Sequence, residues 1–318
     1  MTWSDTRNDS NKDIYAQRFS SDGTALGSNF KVNDDQGSGS QYFPYVSINE
    51  SGNFVIMWKD NRNGQGDDIY AQRYASDGTA SGPNIRITND QGDEYPICRL
   101  AVSLDESGNF VIVITRYDHA YGNAYVQRYS SDGTGLGHNL WINDDGGQVS
   151  CDLPSVSIYG NGNFVITWAS TTESGNAIAN DIFARRYSSN GTALGRNFKV
   201  SSLFKKTERW SFVVPSIATN ERGNFIITWS EDEPDDVMNI YAQRYAGDGT
   251  ALGSKFKVNE AQSPLVNEYF PSIKTYGNGN FIIWWRDARN GKNDIYAQLY
   301  SSDGTALGSN FMINDKSR

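Results

Sequence analysis

Three short stretches of the chain set an aspartate two residues before an arginine, each behind a tryptophan: WSDTRN (3–8), WKDNRN (58–63) and WRDARN (285–290). The pairs are Asp5/Arg7, Asp60/Arg62 and Asp287/Arg289. A carboxylate and a guanidinium so close can close on each other as a local ion pair that shapes a loop, or can present a repeated polar site to a ligand. Both readings stand at this point. A second group of candidates is aromatic: Tyr42, Phe43, Tyr95, Trp210, Tyr269 and Phe270 crowd the segments between repeating units. Aromatic rings among carboxylates and amides suit the stacking of a sugar or the docking of a protein. They would equally plug the mouth of a channel.

Covalent catalysis finds little support. The chain has two histidines, His119 and His138, and lacks the nucleophile elbow, the zinc-protease helix motif, the phosphate-binding loop and the dinucleotide fingerprint. No catalytic residue is assigned. Glycoside hydrolysis needs two carboxyl groups roughly 5–9 Å apart, a three-dimensional condition that sequence does not test. Asp60, Asp118, Glu173, Asp232 and Asp287 would be its candidates. No cofactor is expected. Asn33-Asp34-Asp35 and Asn143-Asp144-Asp145 offer oxygen ligands for Ca²⁺, but without the spacing of a known calcium loop they read as solvated turns. Cys98 and Cys151 are too few for a disulfide framework; they are two thiols or one bridge between neighbouring repeats.

The elements that must position these residues come from an internal repeat. DIYAQRF at Asp13 returns as DIYAQRY (Asp68), NAYVQRY (Asn123), DIFARRY (Asp181), NIYAQRY (Asn239) and DIYAQLY (Asp294). A GNF-led apolar run precedes every copy but the first, ending at Trp58, Ile114, Trp168, Trp229 and Trp285. Before it lies a short segment opening with Pro44, Pro154, Pro215 or Pro271. Each unit thus reads as four strands, A (44–49), B (53–59), C (68–74) and D (81–89) in the second copy. The Asp-Gly pairs between C and D suit two-residue type I′ hairpins. The recurrent arginines (Arg18, Arg73, Arg128, Arg186, Arg244) and glutamines (Gln17, Gln72, Gln127, Gln243, Gln298) of strand C read as bonds between blades or as a ring of anion ligands; the last copy has Leu299 in the arginine position.

Four-stranded meanders at this period indicate an all-β chain folded as a β-propeller. Six blades are expected in one domain, 1–318, with repeats near 1–35, 36–90, 91–145, 146–202, 203–260 and 261–318. The first blade is incomplete, because Thr2-Trp3 aligns with the end of a B strand. Five blades plus a partial repeat is the alternative. The A–B and C–D turns are uniformly short, whereas the B–C loops and D–A connections at the other strand ends vary in length. Variable loops on a constant frame are where binding is expected. If blade order follows the chain, blades six, one and two would bring the three Asp–Arg pairs to one side of that face.

Aspartate and glutamate exceed lysine and arginine by 37 to 28, for a net charge of −9. Such a surface repels phosphate backbones and anionic membranes, so neither nucleic acid nor membrane insertion is expected. The N-terminus, MTWSDTRNDS, lacks the basic-then-apolar order of a signal peptide. The repeat DIYAQRY…SDGTALG…F.VN, preceded by P.VS…GNFVI.W, resembles repeats of large bacterial secreted or surface proteins related to the TolB-like and WD-repeat propellers. The resemblance implies a propeller, an extracellular or cell-surface setting as part of a larger multidomain protein, and no defined activity. The function expected is a non-catalytic adhesion or binding module recognising a glycan or a protein through the long-loop face. The alternatives are a polysaccharide hydrolase or lyase using carboxylates at the propeller mouth, and a structural spacer.

Overall fold

The computed structural model describes residues 1–318 except 8–10, 36, 38, 65, 89–96, 119–120, 143–151, 161, 175–176, 203–212, 234–236, 261–267, 290 and 315–318; for some further strand residues only the backbone is described. Every regular element is a β-strand. Sheet I holds β1 (Thr2–Asp5), β2 (Asp13–Phe19) and β3 (Ala25–Lys31). Sheet II holds β4 (Gln41–Ile48), β5 (Phe54–Asp60), β6 (Asp68–Tyr74) and β7 (Ile85–Arg86). Sheet III holds β8 (Ile97–Leu104), β9 (Phe110–Asp118), β10 (Tyr121–Tyr129) and β11 (Gly135–Trp141). Sheet IV holds β12 (Asp152–Tyr159), β13 (Asn163–Ser174), β14 (Ala177–Tyr187) and β15 (Phe198–Ser202). Sheet V holds β16 (Ser216–Thr219), β17 (Phe225–Asp232), β18 (Met238–Tyr245) and β19 (Phe256–Lys257). Sheet VI holds β20 (Glu268–Tyr276), β21 (Asn280–Asp287), β22 (Asp294–Tyr300) and β23 (Phe311–Met312).

Within each sheet the strands lie in chain order, so each is a meander. The fold is a six-bladed β-propeller, five blades four-stranded and the first three-stranded, lacking strand A. By contacts the chain forms two compact units, Met1–His119 with Val126–Asn139 and Ala120–Tyr125 with Leu140–Arg318. The first contains sheets I and II and most of sheet III; the second contains sheets IV, V and VI.

The continuous apolar run of strand B has its expected consequence: all seven residues of β5 are buried. Cores form between adjacent sheets. Ile14, Ala16 and Val32 of the first repeat pack on Phe54, Ile56, Trp58, Tyr70 and Tyr74 of sheet II. Val165, Ile182 and Ala184 of sheet IV pack on Phe225, Ile227, Trp229 and Tyr245 of sheet V. The phenylalanine of each GNF stacks on the last tyrosine of its strand C, with ring centres 4.7 Å apart for Phe54–Tyr74 and 4.9 Å for Phe164–Tyr187, Phe225–Tyr245 and Phe281–Tyr300.

The turns differ from expectation. The Asp-Gly loops are not type I′ hairpins, because the aspartate does not take positive φ. Gly23 N–H donates to Ser20 O (3.0 Å) and Ser20 N–H to Thr24 O (2.9 Å), with Gly23 at φ +84°. This is a three-residue loop with a left-handed glycine in its bulge. The aspartate is an acceptor instead: Asp22 Oδ1 takes the Thr24 N–H at 2.9 Å and the Ser20 hydroxyl. Asn190 does the same for Thr192 N–H (2.9 Å) and Ser188 Oγ (2.6 Å). Strand D is also shorter than the 81–89 read from sequence. Gly82, at φ +85° and ahead of Pro83, interrupts the ladder, leaving a Tyr74–Ala80 bridge and the two residues of β7. Within sheet IV the order is longer than expected from loop composition: 169–174 and 177–180 extend the β13–β14 ladder out to Ser174↔Ala177.

Three of the strand-C arginines bind the following blade. Arg18 donates to Asp77 O and Arg73 to Ser131 O, and Arg186 Nη1 donates to Gly247 O at 2.8 Å. The glutamines stay within their own blade, as Gln72 Nε2 reaches Gly82 O (2.9 Å) and Gln298 Nε2 reaches Gly308 O (2.9 Å). Strand-A hydroxyls also join blades: Leu104 N–H donates to Ser47 Oγ at 3.1 Å, and Ser157 and Thr219 hydroxyls lie 2.7 Å apart.

Candidate functional site

The three Asp–Arg motifs fold into one repeated module at the end of strand B. In sheet II, Trp58 Nε1 donates to Asp60 Oδ2 (2.8 Å), the Arg62 backbone N–H to Asp60 Oδ1 (2.9 Å) and Arg62 Nη2 to Asp60 Oδ2 (2.7 Å). The Arg62 guanidinium lies 4.1 Å from the centre of the Tyr70 ring. In sheet VI, Trp285, Asp287, Arg289 and Tyr296 repeat this with 3.1 Å from indole to carboxylate, 2.6 Å from Arg289 Nη2 to Asp287 and 4.1 Å from guanidinium to ring. In sheet I the members are Trp3, Asp5, Arg7 and Tyr15, with Trp3 Nε1–Asp5 at 3.2 Å, Arg7 Nη2–Asp5 at 2.5 Å and Arg7–Tyr15 at 4.1 Å. The side chains of Asp60 and Asp287 are fully buried, whereas those of Asp5 and Arg7 are 23% and 38% exposed.

The chemistry follows from these partners. Hydrogen bonds from Arg7 and Trp3 hold the Asp5 carboxyl at about 2. Burial pushes Asp287 upward, but the Arg289 hydrogen bonds and charge outweigh it and the net shift is downward. Burial likewise opposes the charge of Arg62, and Asp60 and Asp34 override it, so the guanidinium is held more firmly protonated than usual. Asp5 and Asp287 are ionised acceptors, and they and Asp60 are already engaged by the protein. That is the geometry of a frame.

Sheet V builds the same module from other residues. Trp229 Nε1 donates to Glu231 Oε2 at 2.8 Å, and the cation is Lys255, 2.6 Å from Glu231 and 4.6 Å from the centre of the Tyr241 ring. Sequence reading missed it because the lysine arrives from the far side of strand C, 24 residues away. The tryptophan two residues before the acid was the available signal.

Register joins the aromatic candidates to the modules. Gln41 pairs with Asp60 and Tyr42 with Lys59 across β4–β5; Tyr269 pairs with Arg286 across β20–β21. Tyr42 and Tyr269 therefore sit beside Asp60/Arg62 and Asp287/Arg289 in their sheets. The Tyr42 hydroxyl donates to Asp67, and burial together with this bond raises its pKa. Immediately after each tyrosine the backbone bulges. Phe43 and Phe270 take φ of +53° and +56°, just before Pro44 and Pro271, and their side chains are 62% and 46% exposed. Leu153 takes the same conformation before Pro154, at φ +49°. Lys59 Nζ lies 5.6 Å from the Phe43 ring centre. The sequence showed the rings but not the strained backbone that presents them.

Asn33 and Asp34 meet this module from sheet I. Asn33 Nδ2 reaches Asp13 Oδ1 (2.8 Å) and Gln41 Oε1 (2.8 Å), Gln41 Nε2 reaches Asp60 Oδ1 (3.3 Å), and Arg62 Nη1 reaches Asp34 Oδ1 (2.7 Å). The first Asn-Asp-Asp run thus has protein partners. Among the described residues no group of three or more His, Cys, Asp or Glu side chains is placed to hold a metal ion. Tyr95, Trp210, His119, Cys151 and Asn143-Asp144-Asp145 lie outside the described residues, as do the side chains of Cys98, Asp118 and Glu173. His138 is exposed on β11. Among the described residues no helix is long and apolar enough to cross a membrane.

No protein-family model and no curated protein matches the chain. Solved structures do resemble it in fold. A protein of unknown function from Dyadobacter fermentans aligns with TM-score 0.57 at 10% identity, over 86% of this chain and 82% of its own. An ulvan lyase of a polysaccharide lyase family, bound to -[GlcA(1-4)Rha3S]-, aligns with TM-score 0.57 at 8% identity, over 93% and 71%. The Penicillium chrysogenum alpha-L-arabinanase complexed with arabinobiose aligns with TM-score 0.50 at 12% identity, over 70% and 67%.

Proposed function

We propose that this chain is a non-catalytic glycan-binding module, with one ligand site on the aromatic rings at the start of strand A in sheet II and another on those of sheet VI. The observation that carries this reading is the pair of exposed phenylalanines, Phe43 and Phe270, held in left-handed backbone. A bulky residue there is strained by about 1–2 kcal/mol, and glycine would take the conformation without strain. Such strain concentrates where a side chain must be aimed. Each ring is flanked by its own tyrosine, Tyr42 at 5.3 Å and Tyr269 at 6.1 Å between ring centres. On this reading Tyr42 and the guanidinium edges of Arg7 and Arg62 line the ligand of the first unit, and Tyr269 and that of Arg289 line the ligand of the second. Asp5, Asp60 and Asp287 hold those arginines in place.

A glycan is favoured over a protein ligand because two propellers of similar fold, the ulvan lyase and the arabinanase, act on polysaccharides. An extracellular or surface setting within a larger protein belongs to the same proposal. So does kinship with the TolB-like and WD-repeat propellers, supported by the DIYAQRY…SDGTALG repeats. The test is affinity electrophoresis and calorimetry against soluble arabinan, ulvan, pectin and neutral glucans. Binding to at least one is expected, with about tenfold loss in Phe43→Ala or Phe270→Ala, the weight of one aromatic stack and its burial. Unaffected binding in both variants overturns the site. No binding by the unaltered protein overturns the function and leaves the spacer reading.

The same fold likeness favours a second reading, a polysaccharide hydrolase or lyase. Of its candidate acids, Asp60 and Asp287 are buried against arginine and indole, and Asp232 is half-buried. Release of reducing ends or of unsaturated products from the same panel would establish it.

A further inference from the structure

A cavity of 460 Å³ opens between sheets V and VI at the strand ends opposite the Glu231 and Asp287 modules. Its walls come from the A–B turn of sheet V, the A–B turn of sheet VI and the C–D turn of sheet VI, with Arg244 and Tyr245 of β18 at its back. The volume lies within the roughly 300–1,000 Å³ typical of small-molecule sites.

Arg244 sets this place apart. At the same strand position Arg18, Arg73 and Arg186 each donate to a backbone carbonyl of the next blade's C–D turn. Arg244 lies against the corresponding turn, and a methyl group built on Gly304 would be 2.7 Å from its Nη1. Yet its guanidinium has no hydrogen-bond acceptor or ion-pair partner among the described residues; its charge acts on Asp303 only from a distance. The side chains of Arg222 and Asn278, which also line the cavity, likewise have no partner among the described residues. The clamp that Arg18, Arg73 and Arg186 close is open here, and the half-buried donor faces the cavity.

We infer that this cavity binds a hydroxylated ring carrying one carboxylate, a uronic acid being the simplest example. The guanidinium fork matches the two coplanar oxygens of a carboxylate, and the Asn278 amide and Ser302 suit ring hydroxyls. Charge selects the class. Two arginines face two acids, Glu221 and Asp303, so the lining is neutral overall and suits a singly charged ligand better than a phosphate dianion. Asp303 Oδ1 accepts from Thr305 N–H (2.9 Å) and Ser301 Oγ (2.5 Å), and its charge reaches Arg244 without a hydrogen bond between them. This site is separate from the aromatic rim and does not depend on that proposal.

The test is titration of the whole chain with glucuronate, with glucose as its uncharged counterpart and inorganic phosphate as the dianion, followed by calorimetry or amide NMR. Saturable glucuronate binding is expected, with glucose and phosphate about tenfold weaker, the value of one charge-assisted hydrogen-bond pair. Arg244→Leu should remove that preference. It is compatible with the fold, since Leu299 occupies the same register position opposite Ile282 that Arg244 holds opposite Ile226. Arg222→Gln, on an exposed turn, should weaken glucuronate binding with an unchanged melting temperature, and Phe43→Ala should leave it intact. Equal binding of glucose and glucuronate, no glucuronate binding, or an unchanged preference in both arginine variants would overturn the proposal.

Discussion

Asp60 accepts from four donors on three neighbours: the Trp58 indole, the Arg62 backbone and guanidinium, and the Gln41 amide. Removing a fully buried acid from such a set strands a buried guanidinium and an indole N–H together. Asp60→Ala should therefore cost about 3–5 kcal/mol, measured by urea unfolding. Asp5→Ala, in the more exposed copy, should lose distinctly less. The same chemistry predicts an acid limb. Asp5, Asp22, Asp132 and Asp303 are held at about 2 by hydrogen bonds, from Arg7 for the first and from a turn serine for the other three. An unfolded aspartate titrates near 3.9. Their stabilisation is thus complete above about pH 4 and lost as pH falls toward 2. Asp287, also lowered, acts in the same direction. Urea midpoints at pH 7, 5, 4 and 2.5 should be level across these groups down to about pH 4 and then drop; a midpoint unchanged between pH 4 and 2.5 would refute the assignment.

At the scale of the strand and turn, the glycine of the Asp-Gly pair in sheets II, III, V and VI does two things. It takes positive φ, and it leaves space for the preceding blade's arginine. A methyl group on Gly249 would meet Arg186 Nε at 3.1 Å, whereas one on Gly253, also at positive φ (+79°), would meet nothing within 4 Å. Both alanine substitutions should share the left-handed penalty of about 1–2 kcal/mol, and Gly249→Ala should be the less stable by thermal melting. Equal melting temperatures would show that the arginine seat carries no weight. The Phe–Tyr stacks are the other repeated device. Phe225 is 1% exposed and stacks on Tyr245, so Phe225→Ala should cost about 3–5 kcal/mol in the same measurement.

At the scale of the molecule, stability comes from the apolar faces of neighbouring sheets. Neither a metal nor a disulfide is required by a chain of this size. The described Asn33-Asp34-Asp35 run is occupied by Arg62, Gln41 and the Asp13 carboxylate. Added Ca²⁺ or a chelator should accordingly leave the melting temperature unchanged; a rise that grows with Ca²⁺ concentration would reveal a bound ion by mass action.

Strand order, blade count and the missing first strand were legible because they rest on short-range rules. Alternating burial, the apolar B strand and the glycine-bearing turns are each encoded within about ten residues and then repeated along the chain. The Asp–Arg pairs were legible as pairs for the same reason, being two residues apart. Tertiary structure alone decided what those residues face. It placed Tyr70 beneath Arg62, brought Lys255 to Glu231 in place of an arginine, aimed Phe43 and Phe270 outward on a left-handed bulge, and left Arg244 beside a cavity while Arg186 closed on a neighbour's carbonyl. Similar strand sequences diverge there because a side chain's partner is set by register and by the adjoining sheet, and neither is written in the strand that carries it.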